Sequence, residues 1–166
     1  MKKYLLSLFV FLFVFCFGIA FAENVKIGEK SLNLPDGFML VDSSNDVNTY
    51  MNLNTCEAIG IGGNNFDSGS NIDLDMSSDL ITNLMKQQLA KSNMNVVNNE
   101  VLNIAGKKIS LLKCNSSVGD ALVAYYAEHG YLYMFIYMQM DMNTQKSIVD
   151  YNRGKSFIIS IISSMH

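Results

Sequence analysis

Residues 131–142, YLYMFIYMQMDM, alternate two kinds of side chain along their length. Even positions hold Leu132, Met134, Ile136, Met138, Met140 and Met142; odd positions hold Tyr131, Tyr133, Phe135, Tyr137, Gln139 and Asp141. A two-residue period is that of a β-strand, whose successive side chains point to opposite faces. Two readings of the even row compete. Thioethers are soft donors suited to Cu(I), which makes Met138, Met140 and Met142 candidate metal ligands with His166 a candidate neighbour. Yet Leu132 and Ile136 continue the same row, and methionine is an ordinary filler of irregular cores. The row reads first as a packing surface, and no cofactor is expected.

The residues just upstream, DALVAYYAEHG (120–130), supply a partner strand. His129-Gly130 suits a two-residue turn that needs positive φ. That turn pairs Met134 with Tyr125, Ile136 with Val123 and Met138 with Ala121 on one face. On the other it pairs Tyr133 with Tyr126, Phe135 with Ala124 and Tyr137 with Leu122. Both faces are largely apolar, whereas a half-solvated antiparallel sheet shows polar residues on one side. Layers above and below the sheet are therefore expected.

The rest of the chain offers those layers. NEVLNIAGKKISLLKC (99–114) reads as a second hairpin turning at Ala105-Gly106-Lys107, and KSLNLPDGFMLVD (30–42) as two short strands around a Pro35-Asp36-Gly37 turn. Strand-like material lies around Thr49–Leu53 and Glu57–Gly62, followed by a polar loop, GGNNFDSGSN (62–71). The period then becomes helical: Leu80, Ile81, Leu84, Met85 and Leu89 share one face of a helix over 77–92, with Ser77 or Ser78 as cap and Lys91 in the last turn. The tail, NTQKSIVDYNRGKSFIISIISS (143–164), places Ile148, Tyr151, Ile158, Ile159 and Ile162 along one helical side. Gly154 and the β-branched isoleucines weigh against a helix there, but a closing helix is expected.

The chain opens MKKYLLSLFVFLFVFCFGIAFA. Lys2 and Lys3, an apolar run from Leu5 to Ile19, and Ala20-Phe21-Ala22 form the pattern of a signal peptide cleaved after Ala22. The apolar run is shorter than the roughly 20 residues a spanning helix needs. Residues 23–166 are then one exported domain, periplasmic or extracellular, long enough to bury a core. The whole chain has a formal charge of −3, and loss of Lys2 and Lys3 makes the remainder more acidic still. An acidic chain without a basic cluster is poorly suited to nucleic acid or anionic lipid. Two cysteines remain after cleavage, Cys56 and Cys114, and in an exported chain a disulfide between them is the default, with two separate thiols the alternative.

The order is strands, helix, two hairpins, closing helix. With LNLPDGFMLVD (32–42), the helix at 77–92, VLNIAGKKISLL (101–112), YLYMFIYM (131–138) and FIISIISS (157–164), the chain resembles the PsbP-like α/β/α sandwich group, which includes DcrB-type bacterial envelope proteins. The resemblance implies an α+β fold, a three-layer sandwich around a mainly antiparallel sheet. It also implies an accessory or assembly role in membranes and cell envelopes, with no catalytic set to carry over.

Other chemistry is thinly supported. Asp67, Asp73, Asp75 and Asp79 gather before the helix, but Met76 and Thr82 fall where a calcium loop needs glycine and glutamate. His129 is assigned to a turn, and no serine or cysteine has a nucleophile-elbow context. Glu57, Glu100 and Glu128 could pair for acid–base work, though no spacing brings two together. Tyr126, Tyr131, Tyr133 and Tyr137 lie on one side of the hairpin, where they could line a groove for a peptide or small ligand; packing beneath the closing helix is the plainer reading. Asn115-Ser116-Ser117 is a glycosylation sequon, meaningful only in a host with that machinery. The expectation is a non-catalytic exported protein that binds an envelope protein or membrane-associated complex. A small-ligand or Cu(I)-binding envelope module is the alternative.

Overall fold

The computed structural model describes residues 24–44, 46–65 and 79–166, the side chains of residues 79 and 80 excepted. The leader and the acidic positions Asp67, Asp73 and Asp75 lie outside the described residues. In chain order the elements are β1 (Asn24–Ile27), β2 (Lys30–Asn33), β3 (Phe38–Ser44), β4 (Val47–Asn52), β5 (Glu57–Asn65), α1 (Asp79–Lys91), β6 (Asn95–Ile104), β7 (Lys107–Ser116), β8 (Gly119–Glu128), β9 (Tyr131–Asp141), β10 (Lys146–Ile148) and α2 (Tyr151–Ser163). The fold is mixed α+β and mostly sheet. β1 and β2 form a hairpin of their own, and the other strands form one sheet in the order β3-β4-β5-β9-β10-β8-β7-β6, with β9 and β8 also pairing directly.

The β8–β9 hairpin forms in the register its turn dictates. Tyr125 stands opposite Met134, Val123 opposite Ile136, Tyr126 opposite Tyr133, Ala124 opposite Phe135 and Leu122 opposite Tyr137. His129 (φ 51°) and Gly130 (φ 76°) supply the two positive φ values, as do Ala105 (φ 50°) and Gly106 (φ 78°) in the β6–β7 turn. The expected pairing of Met138 with Ala121 does not occur in the ladder. There the strands part and β10 enters, with Ser147 opposite Met140 on one side and opposite Gly119 on the other. Gly119 (φ 126°) permits this approach, because a Cβ there would lie 2.1 Å from the Ser147 carbonyl oxygen.

Coverage of the sheet is uneven. On β8 every side chain from Ala121 to Tyr126 is buried, so both faces are dry. On β9 the odd row is sealed at Tyr133, Phe135 and Tyr137, whereas Leu132, Met134, Ile136, Met138 and Met140 are only half-buried. The methionine row is thus a partly wet surface rather than a fully covered one. β9 borders β5, whose Gly60 and Gly62 stand opposite Ile136 and Met134, and glycines offer no side chains to close that side.

The tail is helical from Tyr151, because Asp150 caps it: its carboxylate accepts from the Arg153 N–H at 3.1 Å. Ile148, expected on the helix, belongs to β10 and is exposed. The buried stripe of α2 is Gly154, Ile158, Ile161 and Ile162. Gly154 is where the helix meets the sheet. A Cβ at this position would lie 2.7 Å from Leu122 Cδ1 and 2.7 Å from the Tyr137 ring. The residue that weakened the helix in sequence terms is the one that lets it dock. The C-terminus then returns to the hairpin, where Ser31 and His166 exchange two backbone hydrogen bonds of 3.0 Å.

Gly154→Ala separates the two effects. Alanine favours the helix by about 1 kcal/mol, while forcing a methyl into a filled contact costs about 1–3 kcal/mol. A lower urea midpoint is expected; a stabilised variant would show that the contact is loose.

Candidate functional site

The helix-facing side of the sheet gathers the tyrosines and glutamates singled out in the sequence, and it is closed. Tyr126, Tyr133 and Tyr137 are buried. Tyr126 stacks on Tyr133 at 4.8 Å between ring centroids, and its hydroxyl donates to Met165 Sδ at 3.2 Å. Tyr137 packs against Phe157 of α2 at 5.3 Å, and its hydroxyl donates to Glu57 Oε1 at 2.7 Å. Burial raises the pKa of all three phenols, most strongly for Tyr126 and Tyr137. The tyrosine groove is therefore corrected to a core: α2 and the chain terminus fill the space a ligand would need. Only Tyr131 is half-buried. It packs on Tyr133 at 4.7 Å and lines an open cleft of about 480 Å³ with Lys26, Ser43, Asp46, Asn48 and Gly63. This cleft carries no concentration of reactive groups.

Each glutamate has its own cation. Glu57, at the start of β5, is buried, and burial alone would raise its pKa. Arg153 Nε at 2.8 Å and the Tyr137 hydroxyl reverse this and hold the carboxyl below its ordinary value. Glu100 on β6 is held low by Lys155 at 2.6 Å and by the Tyr151 hydroxyl, both from α2. Glu128 at the end of β8 is held low, against its own burial, by Lys30 at 2.9 Å and Lys107 at 3.3 Å. No two of the three share a proton or a substrate space. A carboxylate pinned by a cation is a poor general acid, because its proton is held away from neutral pH. His129 is exposed in its turn, as expected.

The cysteines are two free thiols, which corrects the expected disulfide. Cys56 ends the β4–β5 turn and is half-buried; Cys114 lies in β7 and is fully buried. Strands β9, β10 and β8 stand between β5 and β7. At about 4.8 Å per strand the two Cα atoms are far beyond the roughly 7 Å a bridge allows. Burial pushes the Cys114 thiol up to about 11, leaving it protonated and inert.

Of the candidate metal ligands, Met138 and Met140 are half-buried, and Met142 lies beyond the strand and is 73% exposed. His166 is tied to Ser31 near the start of β9 and the Tyr126 end of the sheet, so it joins no site with Met140 at the other end. Among the described residues no group of three His, Cys, Asp or Glu side chains could hold a metal. The sequence reading missed Arg153, Lys155, Lys30 and Lys107, the cations that quench the carboxylates. Arg153 and Glu57 are 96 residues apart, and nothing in local pattern links them.

Among solved structures, the chain is similar to the solution structure of cyanobacterial PsbP (CyanoP) from Synechocystis sp. PCC 6803. The TM-score is 0.58 at 17% identity, over 93% of this chain and 98% of that one. The likeness supports a PsbP-like fold. No family model and no curated protein matches the chain.

A carboxylate with a depressed folded pKa contributes stability above its unfolded pKa and loses it as pH falls through the folded value. Glu57, Glu100 and Glu128 all behave so. The protein is expected to lose stability below about pH 4, and Arg153→Met is expected to move the acid-unfolding midpoint of urea titrations upward. An unchanged midpoint would mean that Glu57 gains nothing from the guanidinium.

Proposed function

We propose that the chain is an exported, non-catalytic accessory protein that docks an envelope protein or membrane-associated complex, built as a three-layer α/β/α sandwich in which α1 closes the face opposite α2. Support for the second layer comes from burial. Leu112, Cys114, Val123 and Tyr125 are dry on that face, and Ile81, Met85 and Leu89 of α1, which packs on β6, belong to the same core. The leader-like sequence supports export. Among the described residues no helix is long and apolar enough to cross a membrane.

The observation that carries docking is the contrast between the two ends of the sheet. At one end the turns are Ala105-Gly106 and His129-Gly130, with Lys107 and Glu128 beside them and Lys30 reaching Glu128 from the β1–β2 hairpin. At the other, the turn after β4 exposes Leu53 (37%), the β7–β8 turn Val118 (69%), the β9–β10 turn Met142 (73%), and β10 Ile148 (46%). These residues follow the strand order of the sheet. The Val118 carbonyl accepts from Ser147 N–H at 3.1 Å, and the Cys56 carbonyl accepts from Met140 N–H at 2.8 Å, so the tips adjoin one another. Single exposed apolar residues need no explanation, but several gathered at one end of the sheet support an interaction surface there. A protein partner is favoured over anionic lipid because the chain is acidic.

A photo-crosslinking residue placed at Val118 or Met142 is expected to capture an envelope protein in cells, and the same residue at His129 to capture none. Equal labelling from both ends, or none from the apolar end, would contradict this reading.

A further inference from the structure

Strand β6 ends the sheet, and among the described residues no strand pairs with its outer side. In an antiparallel strand every second residue turns its N–H and C=O away from the paired neighbour. β6 therefore carries a row of backbone donors and acceptors without strand partners. Natural edges are blunted by lysine, proline or shortness. β6 has ten residues, NVVNNEVLNI, with neither lysine nor proline. Its one charge, Glu100, is held by Lys155 and Tyr151 of α2. Val97 (53%) and Val101 (58%) stand exposed along it.

A helix flanks this edge. α1 enters β6 through a tight reversal: Asn93 (φ 59°) ends the helix, and the Met94 N–H donates back to the Leu89 carbonyl at 2.9 Å. The helix packs on the strand, and the two enclose an open cleft of about 490 Å³. Lys86 and Ala90 of α1 line one wall, Val96, Val97 and Asn99 of β6 the other, with Met94 between them. The bulge of β6 falls at Val97, between Val96 and Asn98, an irregularity of the kind that re-aims a side chain. Lys86 is half-buried and has no ion-pair partner among the described residues. A partly desolvated ammonium favours a carboxylate beside it.

We infer that this groove takes an extended segment of a protein partner, added to β6 as a further strand, with an apolar side chain in the cleft and an acidic one paired with Lys86. Strand addition uses the backbone row for affinity and the pocket beside it for specificity. The charge selects the segment: Lys86 asks for a carboxylate, and the exposed valines ask for apolar neighbours. A second copy of this chain is the poorer occupant, because β6 meeting β6 would bring only Glu100, which Lys155 and Tyr151 already hold. The groove lies along the edge of the sheet, through residues other than the turn tips, and stands whether or not those tips dock.

The probe is an immobilised library of end-blocked heptapeptides, apolar at alternate positions and with one position fixed as glutamate, screened with the purified protein. The selected peptide is expected to slow amide hydrogen exchange along β6 and to leave β3, the opposite edge, unchanged. N-methylating alternate residues of that peptide is expected to abolish binding in one of the two alternating patterns and to spare it in the other, because only every second N–H faces β6. Replacing its glutamate by glutamine is expected to weaken binding about three- to fivefold, the scale of a partly exposed ion pair, in the wild type but not in Lys86→Gln. Ala90→Phe, at an exposed helix position, fills the cleft and is expected to weaken binding about tenfold at an unchanged melting temperature. A library that yields no binder, two N-methylation patterns that behave alike, or a glutamate preference that survives Lys86→Gln would overturn the inference. So would protection of β6 by self-association without peptide, which would give the edge to a second copy.

Discussion

The close approach of α2 to β8 and β9, with Gly154 against Leu122 and Tyr137, is the contact on which the remaining features depend. A side chain at Gly154 would hold the helix off the sheet. Tyr137 and Phe157 would then lose their packing, and Arg153 and Lys155 would no longer reach the strands. Because the helix lies close, two of the three buried or half-buried glutamates on that face find their cations on it. The third, Glu128, is served by Lys30 of the outlying hairpin, which the chain terminus also grips through Ser31 and His166.

One consequence is chemical. The groups that would make an active site in another context serve here as fastenings. Tyr126 and Tyr137 use their hydroxyls internally, Glu57 and Glu100 are neutralised by α2, and Cys114 is held protonated in the core. At the end of the sheet where β10 parts β8 from β9, the turns instead expose Leu53, Val118 and Met142.

Much of this was legible locally. The alternation of 131–142 and the His129-Gly130 turn dictate the β8–β9 register residue by residue, since a one-residue slip would turn every core side chain outward. The helical period of 80–89 lies equally on the surface of the sequence, and α1 and α2 form close to where they were expected, though the Asp150 cap that starts α2 was not read there. Three kinds of fact were not legible. β10 has three residues, too few for any period to show, and its insertion displaced Met138 from Ala121. The pairing of β5 with β9, which separates Cys56 from Cys114, joins segments some eighty residues apart and depends on tertiary packing alone. And the glycines opposite Ile136 and Met134, which leave the methionine row half wet, have no meaning until that pairing is known.

The account rests on the tyrosine face being sealed, and the phenols themselves report on it. With ring-labelled tyrosine, NMR would follow each hydroxyl through an alkaline titration of the folded protein. Tyr126, Tyr133 and Tyr137 are expected to stay protonated well past the pH at which an ordinary tyrosine ionises, near 10, and to titrate only as the fold opens. Ionisation of any of the three at an ordinary pH, in a chain whose β8–β9 amides remain protected, would show that face open to water and contradict the account.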